Sequence, residues 1–273
     1  MASFPLLPPI NTSKIIIIAD IHADISRFKL ILQDAKILDE QEQWIAEPNT
    51  VVVQLGDQID PKSIDKDDIN DKHHFKLIYF TDKLKRMAQA NQCDFISMIG
   101  NHELLNMAHI RKKENLRNII ASRPILLHMK NYLFCHGGFK KRHWYLLDIY
   151  NKTMDDINLI WYKYVNEFHM TLNEEIILNN LILDTENSIL FTRTQDIKQD
   201  IDKLFNILNV DYMFVGHTIT DYVSLKNKIW YLDLMLKDAF ENMTYNYLII
   251  DNNGFIYVKH CDQYIQSMLP FLS

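Results

Sequence analysis

Five short stretches carry the residue types that hold metal ions, and each follows an apolar run of strand length. Asp20 and His22 follow Ile15–Ile18, and Asp57 and Asp60 follow Val51–Leu55. Asn101, His102 and Glu103 follow Phe95–Gly100, His136 follows Tyr132–Cys135, and His217 follows Tyr212–Gly216. A buried strand rarely runs straight into acid, because an unpaired buried carboxylate is very costly. Open α/β sheets place ligands beyond the carboxyl ends of their strands. Taken singly each stretch is weak: Asp-x-His can be a turn, and Gly-Asn-His-Glu can be a capped helix start with Glu103 at the positive end of the dipole. Five coincident clusters drawn from Asp, Asn and His are not explained that way. Oxygen and imidazole donors without thiolate suit Mn²⁺, Fe or Zn²⁺, and there are enough of them for two ions.

The elements that must position these residues alternate. Strands are predicted over 14–19, 50–55 and 93–99, with amphipathic helices over 25–38 and 74–90 and a further helix opening near Glu103. Residues 125–138 read as two strands around a Lys-Asn turn, and 210–218 as a strand entering a loop. Residues 245–260 read as a hairpin around Asn252-Asn253-Gly254. From Lys140 to about Leu183 the pattern is mainly helical and carries Trp144, Trp161, Tyr162 and Tyr164. This alternation predicts a layered α/β core with a buried sheet. One domain is expected over 1–273, with a helical insertion over about 140–190.

The chain has 273 residues, 48% of them hydrophobic, and a net charge of −6. An acidic balance argues against a sequence-independent nucleic-acid binder, but not against a phosphorylated substrate when cations line the site. Three cysteines, Cys93, Cys135 and Cys261, are too scattered for a disulfide framework and favour a reducing, cytoplasmic setting. The proline-bearing N-terminus lacks the features of a signal peptide, and no apolar run reaches the length of a membrane span. Cys135 reads as a packing residue. His74, His109, His128 and His169 have no strand-exit context.

The order Asp-x-His, Gly-Asp-x-x-Asp, Gly-Asn-His-Glu, His-Gly-Gly, Gly-His-Thr resembles the calcineurin-like metallophosphoesterases, closest to the phosphoprotein phosphatase branch with its Shewanella-like phosphatases. The resemblance runs from Ile15 to about Phe240. It implies a layered α/β/β/α sandwich and a pair of divalent ions, manganese first and iron or zinc as alternatives. It implies that Asp20, His22 and Asp57 hold one ion, that Asp57 bridges, and that Asn101, His136 and His217 complete the second. His102 would be the general acid, with Asp60 accepting a hydrogen bond from it and fixing its tautomer. The implied reaction is direct attack on a phosphomonoester by a hydroxide shared between the ions, with no phosphoenzyme. The implied substrate is a protein phosphoserine, phosphothreonine or phosphotyrosine. A dinucleoside polyphosphate or nucleotide hydrolase is the alternative, and a non-enzymatic scaffold is disfavoured by the intact ligand set.

Three departures matter. Pro61 and Lys62 stand where the family carries Arg-Gly, so one phosphate-gripping arginine is absent at that place. Arg193 is the substitute candidate, against the plainer reading of a surface ion pair. Ala19 and Ala23 stand where glycine is usual. Ile219 follows Thr218 where nuclease-like members place a second histidine, which favours a phosphomonoesterase.

Overall fold

The computed structural model describes residues 11–59, 75–193, 201–234 and 245–261. Asp60, Pro61, Lys62, the acidic stretch 63–71 and His74 lie outside the described residues.

Two five-stranded sheets carry the molecule. In the first, β1 (Lys14–Ile18), β2 (Thr50–Gln54) and β3 (Asp94–Ser97) are parallel neighbours, and β9 (Tyr245–Ile250) with β10 (Ile256–Cys261) extends the sheet antiparallel beyond β1. In the second, β5 (Tyr132–Cys135), β6 (Tyr212–Val215) and β8 (Ile229–Tyr231) are parallel, with β4 (Leu126–Met129) and β7 (Ser224–Lys226) antiparallel at the edges. The register pairs Ile16 with Val52 and Phe134 with Phe214.

Side chains alternate across each strand, and the alternation sorts the core into layers. Ile15 and Ile17 join Val51, Val53, Phe134 and Phe214 between the sheets, where the Phe134 and Phe214 rings stack at 5.1 Å. Ile16 and Ile18 point the other way, onto α1 (Ile25–Asp34) and α2 (Lys76–Ala90) through Phe28, Leu32, Phe80 and Leu84. Leu133, Cys135, Met213 and Val215 do the same on the far side of the second sheet, under a helical layer that includes Trp161 and Phe205. The result is the expected α/β/β/α order. A run of four isoleucines is therefore a central strand buried on both faces, and truncating one of the stacked rings would cost about 3–5 kcal/mol.

The helices follow. After β3 come α3 (Asn101–Leu105), α4 (Met107–Ile110) and α5 (Glu114–Ala121). Between β5 and β6 lie α6 (Lys141–Ile149), α7 (Met154–Val165), α8 (Leu172–Leu178) running into a π-helical turn (Asn179–Leu183), and α9 (Ile201–Leu208). Helix α1 ends at Asp34, short of the predicted Leu38, because Lys36 turns into the left-handed region at φ 57°. Among the described residues no helix is long and apolar enough to cross a membrane.

Of the aromatic residues in the helical segment, Trp161 is core, and Trp144, Tyr162 and Tyr164 are half-buried and packed against it. Trp161 is fully buried and donates Nε1–H to the Ile120 carbonyl at 3.1 Å, and Tyr164 lies under the Arg111 guanidinium at 4.2 Å. Cys135 is likewise a buried thiol, 3.7 Å from the Met213 sulfur, and burial pushes its pKa up.

Candidate metal centre

The two parallel trios end side by side. From the first sheet, Asp20 and His22 leave β1, Asp57 leaves β2, and Asn101 with His102 opens α3 beyond β3. From the second, His136 follows β5 and His217 follows β6. The structure brings these seven residues together.

Asp57 is at the centre and 2% exposed. Its Oδ2 lies 3.3 Å from His136 Nε2 and 3.6 Å from His102 Nε2. Ligand atoms of His22, Asp57 and His102 lie within 4.8 Å of one another, and so do those of Asp57, His136 and His217. One carboxylate thus belongs to two donor groups. Asp20 stands beside both: its Oδ2 is 3.9 Å from His22 Nε2 and its Oδ1 is 4.0 Å from His136 Nδ1. The Asn101 side-chain oxygen is 2.8 Å from His136 Nε2. It sits at the first turn of α3, whose cap is Gly100, so its side chain is free of capping duty.

The local backbone is unusual. His22, Ala23, Asp57 and His217 have φ of 49°, 63°, 51° and 55°. Such residues cost energy unless their surroundings hold them. Here the Asp57 carbonyl accepts the N–H of both Ile21 (3.1 Å) and His22 (2.9 Å), and the Gln58 carbonyl accepts that of Ala23 (2.8 Å). The left-handed φ of Ala23 is a conformation that glycine adopts without steric cost. Gly100 and Gly216 make room for the carboxylates: a Cβ there would lie 2.2 Å from Asp57 Oδ1 and 2.1 Å from Asp20 Oδ1.

The electrostatics fit a cation pair. The Leu55 carbonyl can only accept, so the 2.9 Å contact to His136 Nδ1 means that this nitrogen carries the proton and Nε2 faces Asp57 and Asn101. A backbone carbonyl fixing the tautomer in this way is common for a ligating histidine. Burial works against charging His136, yet Asp57 and Asp20 push it up to about 10. Asp57 is itself opposed by burial, but His136, His102 and His22 hold its carboxyl well below the usual range. Burial and then the charges of Asp233 and Asp57 push Asp20 well up. His217 goes down to about 3 through burial and the neighbouring charges of His136 and Arg193. Buried carboxylates in mutual repulsion draw positive charge to this spot, here a proton on His136, and a divalent cation would satisfy the same oxygen and imidazole groups in that proton's place.

One member of the site, Asp233, was not read from the sequence, and another, Glu103, was read only as a strand-exit residue favouring the helix dipole. Asp233 is 4% exposed and lies just past β8, a sixth strand exit beside His217; its carbonyl accepts the Thr220 N–H at 2.8 Å. The apolar run Ile229–Leu232 before it carried the same signal as the other five. Glu103 is fully buried and accepts the backbone N–H groups of Asp57 (3.0 Å), Gln58 (2.8 Å) and Gly100 (2.7 Å). Beyond favouring a helix dipole, it clamps two strand exits together. Arg193 donates Nη1–H to the His217 carbonyl at 3.0 Å, which puts its exposed guanidinium on the rim of the cluster.

Residues 13–221 match the calcineurin-like phosphoesterase family. The chain is 27% identical over 240 residues to Shewanella-like protein phosphatase 1 of Plasmodium berghei (strain Anka), covering 75% of this chain and 61% of that protein. It is 30% identical over 94 residues to Shewanella-like protein phosphatase 2 of Arabidopsis thaliana, covering 34% and 22%. The chain therefore spans less than two thirds of these relatives. In fold it is similar to the cold-active protein-tyrosine phosphatase of a psychrophilic Shewanella species, with TM-score 0.69, 19% identity, and 90% of this chain and 80% of that one covered. A protein serine/threonine phosphatase from Saccharomyces cerevisiae is more distant, with TM-score 0.57, 14% identity and coverage of 92% and 80%.

Proposed function

The chain belongs to the calcineurin-like phosphoesterase family, and on that premise we propose that it is a metal-dependent phosphatase that removes phosphate from phosphoserine, phosphothreonine or phosphotyrosine in proteins. The observation that carries this reading is the Asp57 carboxylate shared by two donor groups. Asp20, His22 and Asp57 hold one divalent cation; Asp57, Asn101, His136 and His217 hold the other. Manganese is the preferred ion for this oxygen and nitrogen set. When bound, such a pair neutralises the phosphoryl oxygens and makes water acidic enough to serve as a nucleophile near neutral pH.

The remaining steps belong to the chain. His102 is partly exposed beside Asp57, with its ring 5.0 Å from that of His22. It donates a proton to the leaving oxygen, and Asp60 is its assigned partner. Arg193 supplies a forked cation to the phosphate in place of the arginine absent after Asp60. The protein substrate is supported by the names of the relatives, which are protein phosphatases. A reducing, cytoplasmic setting is supported by the free buried thiols of Cys93 and Cys135.

The test is a Mn²⁺-supplemented panel of phosphopeptides, p-nitrophenyl phosphate and diadenosine tetraphosphate. Phosphopeptide turnover without dinucleotide cleavage supports the reading. Preference for the dinucleotide replaces the substrate, and no turnover together with no bound Mn²⁺ overturns the activity.

A further inference from the structure

Beneath Asp57 lies a set of buried polar side chains that the reaction does not use directly. Gln54, Gln58, Thr81, Glu103 and Arg123 are all 5% exposed or less. Buried polar groups of this kind persist only when their hydrogen bonds are made. Here they are made to one another. Arg123 Nη1 donates to Gln58 Oε1 at 2.7 Å, while its Nη2 donates to Thr81 Oγ1 at 2.8 Å and to the Ile78 carbonyl at 3.1 Å. Gln58 Nε2 donates to Gln54 Oε1 at 2.5 Å, and Gln54 Nε2 donates to the carbonyls of Ala19 (2.9 Å) and Gly56 (2.6 Å). The Gln58 backbone N–H is one of the three that bind Glu103.

The chain of bonds joins the exits of β1, β2 and β3 to α2 and to the turn before β4. Its far end is a cation. Arg123 is fully enclosed, and burial lowers it to about 10 against the opposing charges of Glu103 and Asp82. It stays charged at neutral pH. Burial and the Asp57 charge push Glu103 up, while the N–H groups of Gly100 and Gln58 and the charge of Arg123 act the other way. The guanidinium thus holds the side chain of Gln58 through Nη1 and anchors to α2 through Nη2, and the Gln58 backbone N–H in turn meets Glu103 under the Asp57 turn.

We propose that Arg123 is a positioning residue for the phosphatase reaction, holding the left-handed Asp57 turn through Gln58, whose backbone N–H meets Glu103, so that the Asp57 carboxylate stays where its two donor groups meet. This rests on the reading of Asp57 as the bridging ligand. A plain core arginine would stabilise the fold without tuning ion affinity.

The experiment compares wild type, Arg123→Met, Arg123→Ala and Arg123→Lys. Mn²⁺ binding is measured by calorimetry, kcat and KM with p-nitrophenyl phosphate, and folding by thermal unfolding in chelator. Loss of a supporting hydrogen bond typically weakens metal affinity or activity by roughly 10- to 100-fold. Arg123→Met should show that loss in Mn²⁺ affinity and kcat with KM little changed, and guanidinium ion should restore part of kcat to Arg123→Ala alone. Arg123→Lys keeps the charge and loses the fork, so it measures the fork even if the other two fail to fold; it should bind Mn²⁺ more weakly than wild type. Folded variants with wild-type Mn²⁺ affinity and kcat would overturn the inference. Wild type that binds no Mn²⁺ would instead overturn the reading of the site.

Discussion

Asp57 meets His102 twice: its Oδ1 accepts the His102 backbone N–H at 2.9 Å, and its Oδ2 lies 3.6 Å from the ring Nε2 of the same residue. The proposed bridging ligand and the proposed acid are therefore tied by one backbone and one side-chain contact, and the two can be separated experimentally. Only the second meeting depends on the histidine side chain.

His102→Gln should keep the backbone anchor and so keep Mn²⁺ affinity. Its kcat should fall by roughly 10²–10⁴, the usual contribution of a general acid. Equal loss of Mn²⁺ binding would reassign His102 to the ligand set, a role its proximity to His22 and Asp57 would permit.

Gly216→Ala should damage ion binding from outside the donor set. The new methyl would sit 2.1 Å from Asp20 Oδ1, so the carboxylate must turn away. A loss of roughly 10- to 100-fold in Mn²⁺ affinity by calorimetry is expected. Wild-type affinity would show that Asp20 is not needed where it stands.

Arg193→Ala should raise KM and lower kcat for an aryl phosphate, with kcat/KM down by roughly 10²-fold. Its Nη1 donates to the His217 carbonyl at 3.0 Å, which holds the side chain at the rim of the cluster. Unchanged kinetics would leave Arg193 as a rim residue without a role in phosphate binding.

His143 links stability to pH away from the metal centre. It is fully buried, its Nδ1 accepts the Lys140 N–H at 3.1 Å, and its Nε2 lies 2.7 Å from the Asn187 carbonyl. Burial first, and then the charges of Arg142 and Lys140, lower it from 6.5 to about 3. The folded form stays neutral while the unfolded chain takes up a proton below 6.5. Its contribution is complete above that pH and is lost as pH falls toward 3, at about 1.4 kcal/mol per pH unit. Denaturant unfolding of His143→Gln should show a flatter acid limb than wild type, and parallel limbs would refute the assignment.

Much of this site was legible because it uses a simple code: an apolar run of strand length, a tight exit, then a ligand type. Asp20, His22, Asp57, Asn101, His136 and His217 all follow it. Asp233 obeys the same code, but its strand, β8, is only three residues long, too short to stand out by periodicity. Gln54, Gln58 and Arg123 were illegible for a different reason. Their meaning lies in contacts that reach across as many as 65 positions of chain, as from Arg123 to Gln58, which no local spacing records. In the aromatic segment 144–164, residue type alone favours packing, and the contact of Trp161 with α5 shows which ring is most deeply set.

The donor set is divided between two sheets, with Asp20, His22, Asp57 and Asn101 on one and His136 and His217 on the other. Any cation gripped by both would act as a rivet across the seam. Ion release and slippage of one sheet past its partner would then be a single event, opposed by the same layer in which Phe134 and Phe214 stack. Heat, pressure or a hole cut in that layer would be felt first as a loosened ion, well before the chain itself came apart.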